Sequence, residues 1–241
     1  PETWSSEPVA EGASRARGGA APAGRSAGRV APRVLPEEVR AELTTALGPS
    51  RAPRMQERLA DAARAYERDR YRDAAGILKA LRDLAPGAAA VRELYGLTLY
   101  RLARWNEAIK ELEAYRAITG SCDQHPTLMD CYRAKRRWRE VGELWRELKE
   151  ASPGPDLIAE GRIVAAGALA DQGRIAEAIA ELERVRTDQK HPREHHVRVW
   201  YALADLYERA GEIPRARELF RRVVSHDPEM SDAAERLAAL T

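Results

Sequence analysis

The sequence predicts an all-α chain built from about five consecutive helix pairs. Three observations carry that expectation. Alanine is abundant while aromatic residues make up only 6% of the chain, a balance that suits closely packed helices rather than a β-sandwich. Apolar residues recur at helical spacing, most clearly where Trp200, Leu203, Ala204 and Tyr207 share one face and Ile213, Ala216, Phe220 and Val223 share the next. The same order of bulky, small and large residues then repeats back to about residue 54 in a single register.

Taken in chain order, residues 1–34 are rich in Gly, Ala, Ser, Pro and Arg, with almost no large apolar residue beyond Trp4. Such a segment has too little to bury to offset its ordering entropy and is expected to be a disordered leader. The composition changes at Val34. Pro36, Glu37 and Glu38 have the character of a helix N-terminus, with proline in the first turn and acids near the positive end of the dipole. Val39, Leu43 and Leu47 follow on one face, and Gly48, Pro49 and Ser50 stop the helix.

The repeats align on the small residue of each second helix, at Ala74, Ala108, Val141, Ala178 and Ala216, which gives spacings of 34, 33, 37 and 38 residues. Second helices open on Tyr71, Trp105, Trp138, Ile175 and Ile213 and pack through Leu78, Leu112, Trp145, Leu182 and Phe220. First helices place Ala62, Gly96, Met129, Ala166 and Ala204 at the close approach. The expected boundaries are 54–87, 88–121, 122–155, 156–193 and 194–228 within a helical domain of residues 35–241. The extra residues of the last two intervals are assigned to loops around Gly154-Pro155 and 189–192. The third repeat is the least regular, since Pro126 shortens its first helix. Ser231 is expected to cap a closing helix over 231–240 that covers the last repeat.

This register, with glycine at the turn and proline after the second helix, resembles the tetratricopeptide repeat, whose period is about 34 residues. The resemblance covers roughly residues 54–240; with its leader, the chain is also similar to short repeat proteins of high-GC bacteria. It implies a right-handed α-solenoid with an N-terminal helix and a C-terminal capping helix. It also implies a non-catalytic role, as a scaffold or adaptor that takes a peptide segment of a partner along a concave face lined by first helices. Carried over by position, that face comprises Tyr66, Glu93, Leu97, Tyr100, Arg101, Asp130, Arg133, Arg198, Tyr201, Asp205 and Arg209. The lysine and asparagine set with which some members clamp a C-terminal carboxylate is missing, because Ala63, Leu97, Asp130, Gly167 and Asp205 stand at its asparagine position.

Other chemistry finds less support. The net charge of +2 resides in the leader, where Arg15, Arg17, Arg25, Arg29 and Arg33 outnumber three glutamates. The remaining residues balance 35 cations against 35 acids, so the helical part exerts no global attraction on nucleic acid. The leader arginines, which include Arg17-Gly18-Gly19, make RNA contact the alternative function, with the repeats recruiting a partner. The basic run of Arg133, Lys135, Arg136, Arg137 and Arg139 surrounds Trp138, but that tryptophan occupies a packing position and acids stand nearby. Cys122, His125 and Cys131, like His191, His195 and His196, lack the ligand spacing of a structural zinc site, so no metal and no cofactor are expected. No phosphate loop, nucleophile elbow or metal-binding His-Glu helix is present, and the chain is read as no enzyme. Two cysteines make no disulfide framework, no run reaches membrane-spanning length, and no secretory signal pattern opens the chain. The expected setting is cytoplasmic, and a second copy of the chain is a further candidate partner.

Overall fold

The computed structural model describes residues 35–185 and 191–240, so the leader lies outside the described residues. The described residues are helical throughout, with no strand among them, and fall into two compact units, 35–135 and 136–240. The first unit holds α1 (Glu37–Leu47), α2 (Ala52–Glu67), α3 (Tyr71–Leu84), α4 (Ala89–Arg101), α5 (Trp105–Thr119) and α6 (His125–Ala134). The second holds α7 (Trp138–Ala151), α8 (Pro155–Asp171), α9 (Ile175–Leu182), α10 (Glu194–Arg209), α11 (Ile213–His226) and α12 (Ala233–Ala239).

The register read from the sequence is visible in the helix boundaries. Tyr71, Trp105, Trp138, Ile175 and Ile213 are the first residues of α3, α5, α7, α9 and α11. A residue with positive φ precedes each of these helices, at Asp69, Ala103, Arg136, Gly173 and Gly211. Their spacing repeats the 34, 33, 37 and 38 of the alignment. The turns at Asp69, Ala103, Gly173 and Gly211 close alike: the amide one residue further on donates to a carbonyl five residues back, as Arg70 to Ala65 at 2.8 Å and Glu212 to Tyr207 at 2.8 Å. One turn conformation therefore serves repeats that differ in sequence. Glycine adopts it freely in the second unit, whereas Asp69, Ala103 and Arg136 adopt it against the steric preference of an L-residue. Each of the first four second helices is also preceded by an N-cap arginine that pairs with an acid three residues on, at 2.7 Å for Arg70–Asp73 and 2.6 Å for Arg174–Glu177.

Packing within each unit runs through the predicted small positions. Ala62, Ala74 and Ala108 in the first unit, and Ala166, Ala178, Ala204 and Ala216 in the second, are all essentially inaccessible. At Gly96 the approach of α5 is so close that an added Cβ would stand 2.6 Å from Leu112 Cδ2. At Gly161 of α8 the same demand comes from Leu148 and Trp145 of α7. In the second unit α10 is the central helix, packing on α8, α9 and α11. Its Trp200, Leu203 and Tyr207 form the core with Phe220 and Val223, and burying Phe220 alone is worth about 2–3 kcal/mol.

The first unit is closed at its N-terminal end by α1. Gln56 of α2 donates to the Arg40 carbonyl at 3.0 Å, while the Glu42 carboxylate accepts from the backbone amides of Ala89 and Ala90 at the start of α4. Ala88, the N-cap residue of α4, has no side chain able to do this. A carboxylate delivered from α1 takes that role and meets the positive end of the helix dipole.

Two expectations need correction. Gly154-Pro155 is not a long loop: Pro155 opens α8, and the surplus residues of that interval lengthen the helix to 17 residues. Proline is favoured there because a first-turn residue has no intrahelical use for its amide. Of the second expected loop, only 191 and 192 lie among the described residues, and they form the approach to α10. Ser231 does not cap the closing helix. It stands outside α12 with positive φ, its hydroxyl 3.4 Å from Tyr201 Oη, and Asp232 is the N-cap residue.

Two substitutions test this account by chemical denaturation. Ala103→Gly, which relieves a left-handed alanine in the α4–α5 turn, is expected to raise stability by about 1 kcal/mol. Gly96→Ala, which forces a methyl group into Leu112, is expected to lower it by about 1–3 kcal/mol.

Candidate functional site

The expected partner face can be built one unit at a time. In the first unit Tyr66, at the end of α2, meets Tyr71 edge-on at 5.3 Å between ring centroids. The Arg101 guanidinium lies 4.8 Å from the Tyr71 ring centroid and 3.8 Å from Asp69. Tyr100 meets Trp105 edge-on at 5.5 Å and donates to Asp130 of α6 at 2.9 Å. Asp130 is also 3.3 Å from Arg133. Burial is the first cause, and Asp69 or Asp130 the second, that holds the Tyr66 and Tyr100 hydroxyls above the ordinary phenol range. Both remain neutral hydrogen-bonding groups.

Access divides these residues. Tyr66, Tyr100 and Arg101 keep partial exposure. Glu93 and Leu97 are only 2% and 1% exposed, and Asp130 and Arg133 are 5% exposed each. Glu93 accepts a hydrogen bond from Gln124 at 2.9 Å. Its carboxyl is pushed up to about 7 by burial, with Asp123 and Glu42 adding to the effect and hydrogen bonds from Gln124 and Tyr115 opposing it.

In the second unit the expected residues join neighbouring helices to each other. Arg198 of α10 pairs with Glu160 of α8 and lies 3.5 Å from Glu194. Tyr201, 8% exposed, donates to Asp232 at 2.5 Å. Asp205 stands 2.9 Å from Arg236 of α12 and 3.6 Å from Arg209. Arg209, exposed on its outer side, donates to the Ala170 carbonyl at 3.2 Å. Arg236 gathers this end of the unit: it reaches Asp205 and Glu208, and its guanidinium carbon lies 4.6 Å from the Phe220 ring centroid. The leader arginines Arg15, Arg17, Arg25, Arg29 and Arg33 lie outside the described residues.

Sequence reasoning missed Glu42, Glu111, Gln124, Asp232 and Arg236. Glu111 of α5, 2% exposed, bridges Arg82 of α3 and Arg92 of α4, the former at 3.0 Å. An acid on the inward side of an otherwise apolar helix stripe is the available signal for it. Arg236 had a comparable one, since a lone arginine between the alanines of the closing helix sits one period beyond acids on α10. Among the basic run, Arg137 pairs with Glu140 at 2.6 Å and Arg139 with Glu143 at 2.8 Å. Trp138 is half-buried.

The described residues contain no grouping of three or more His, Cys, Asp or Glu side chains arranged for a metal ion. Cys122 and Cys131 are free thiols, and burial raises both above the ordinary thiol range. No described helix is long and apolar enough to cross a membrane. What the faces offer is contact area from tyrosines and both signs of charge, held in fixed positions.

Comparison with known proteins agrees with the fold. No curated protein sequence matches the chain. Residues 169–240 match the family described as tetratricopeptide repeat. The crystal structure of a thermophilic tetratricopeptide-repeat protein from Thermus thermophilus superposes with a TM-score of 0.60 at 19% identity, over 77% of this chain and 98% of that one. A Naa15/Naa10 structure bound to HypK-THB gives a TM-score of 0.35 at 15% identity, over 76% of this chain and 33% of that one. The all-α fold class is thus that of a helical-repeat solenoid, and residues 169–240 are similar in sequence to the tetratricopeptide-repeat family.

Proposed function

We propose that this protein is a non-catalytic scaffold that holds a peptide segment of a partner protein against the first-helix faces of its repeats. The fold class, whose members serve protein partnership, supports the reading. The observation that carries it is the bracing of side chains that still reach solvent. Arg101 is stacked on Tyr71 and Tyr100 is tied to Asp130, while in the second unit Asp205 and Arg209 are fixed by Arg236 and the Ala170 carbonyl. Groups already held in one rotamer lose little entropy on binding, and tyrosine with paired charges gives area and register together.

The residues expected to touch a partner are therefore Tyr66, Tyr100 and Arg101 in the first unit and Arg198, Asp205 and Arg209 in the second. Glu93, Leu97, Asp130, Arg133 and Tyr201 act one layer below, by positioning these groups. Binding through such a surface combines modest apolar burial with charge pairing and weakens as salt rises.

The test uses the full chain. A partner recovered by affinity capture is narrowed to a segment, and that peptide is titrated into wild-type and variant protein by calorimetry. Arg101→Ala and Arg209→Ala are each expected to weaken binding at least tenfold, with melting temperatures close to wild type. Tyr100→Phe is expected to lower stability by about 1 kcal/mol through loss of its bond to Asp130, with a smaller effect on affinity. Equal binding by all three variants would overturn the proposal. Capture that instead vanishes when Arg15, Arg17, Arg25, Arg29 and Arg33 become glutamine, together with co-purifying RNA, would assign the function to the leader. A doubled mass in light scattering would make a second copy the occupant.

A further inference from the structure

The N-terminal helix α1 meets the first unit on the face through which the repeats are read to hold a partner. By the spacings of the alignment, Gln56 of α2 and Ala90 of α4 hold the place that Arg198 holds in α10, so both belong to the first-helix face. Both are taken by α1. The Gln56 side chain donates to the Arg40 carbonyl at 3.0 Å and to Thr44 Oγ1 at 3.3 Å. The Glu42 carboxylate accepts from the Ala89 amide, and from that of Ala90 at 3.2 Å. Beside these contacts Leu43 is wholly buried, while Val39 and Leu47, one turn to either side, are half-buried. An amphipathic helix is thus bonded to two successive first helices, with an apolar anchor and with a carboxylate at the positive end of α4.

This helix is held by little. Leu43 is the one buried residue of α1, where α3, the next fewest in the unit, has four. No side chain caps its first turn, and Glu37, Glu38, Ala41 and Thr45 are exposed. Gly48 ends it at positive φ, a conformation open to glycine. An element with so little buried surface opens at lower cost than the helices beside it.

We propose that α1 is a built-in occupant of the partner face in the first unit, displaced by a partner helix of the same chemistry: apolar residues at i, i+4 and i+8, with a carboxylate just before the central one. The inference rests on the reading of the first-helix faces as the partner surface, and it names the segment that this surface takes. Only residues 48–51 join α1 to α2, so the tethered helix acts at an effective concentration on the order of millimolar. A partner segment competes with that, and its apparent affinity scales with the fraction of molecules in which α1 is open.

The probe is a labelled peptide of residues 35–50, titrated into the full chain by fluorescence anisotropy. Leu43→Asp, which expels the anchor of the tethered helix, is expected to bind this peptide at least about tenfold more tightly than the wild type does. The same peptide carrying Glu42→Gln is expected to bind that variant about tenfold more weakly. Hydrogen exchange of the wild type is expected to show the amides of α1 opening at least about tenfold more often than those of α4. Should Leu43→Asp not fold, Glu42→Gln in the chain takes its place with a smaller gain, and the exchange experiment needs no variant. Peptide binding to a folded variant no tighter than to the wild type, or α1 amides that open only together with those of α4, would overturn the proposal. If that happens while a captured partner is still lost in Arg101→Ala and Arg209→Ala, the scaffold reading stands and this inference alone falls.

Discussion

Everything in this protein depends on how closely the two helices of a repeat can approach. A helix pair buries one face on itself and the other on the next pair, and in all but the third repeat the crossing carries a residue with little or no side chain. Alanine supplies it at Ala62, Ala74, Ala108, Ala166, Ala178, Ala204 and Ala216, all inaccessible, and glycine supplies it at Gly96 and Gly161. Large residues then fill the space beside each crossing, as Phe220, Leu78 and Leu112 do. Interiors packed at this density tolerate neither a gap nor an added methyl group without adjustment, so the register of the small residues fixes the register of everything else.

Polar side chains are organised by the same constraint. Once successive first helices are brought close, the side chains facing along them reach one another. Tyr100 finds Asp130, Glu93 finds Gln124, Arg198 finds Glu160, and Arg236 finds Asp205 and Glu208. A buried polar group without a partner is costly, and in these units the partners come from the adjoining helix. The proposed partner face is thus also part of what joins helix to helix. In the proposed scaffold role, binding and stability are therefore not separable residue by residue: Tyr100 is tied into the packing through Asp130, whereas Arg209 keeps its outer side in solvent.

Much of this was legible in the sequence, because the fold repeats and each copy checks the others. The first residue of every second helix fell where the alignment put it, and the aligned alanines at the crossings are buried. The contribution of α12 was foreseen as a cover, but not the arginine through which it is held. What could not be read were contacts that join residues far apart in the chain with no periodic signal, such as Glu42 at the amides of α4 or Glu111 between two arginines. Leu97 was assigned to the groove by position alone, yet its neighbours Leu94, Tyr95, Leu99 and Val91 are apolar on every side of α4. A helix apolar all round is a buried one. The physical signal contradicted the positional one, and burial prevailed.

The surrounded state of α4 has a consequence for how this sequence is free to vary. Between Ala90 and Leu99 only Arg92 reaches solvent, so almost no position there can drift neutrally. In most amphipathic helices half the residues record selection for packing and the other half record very little. A lineage of this protein would therefore concentrate its unchanging positions in α4, and so in a segment whose task is internal. Constancy there would reflect crowding rather than recognition. The imprint of a partner is better sought where substitutions are permitted yet fail to occur, at the exposed ends of α2, α4 and α10.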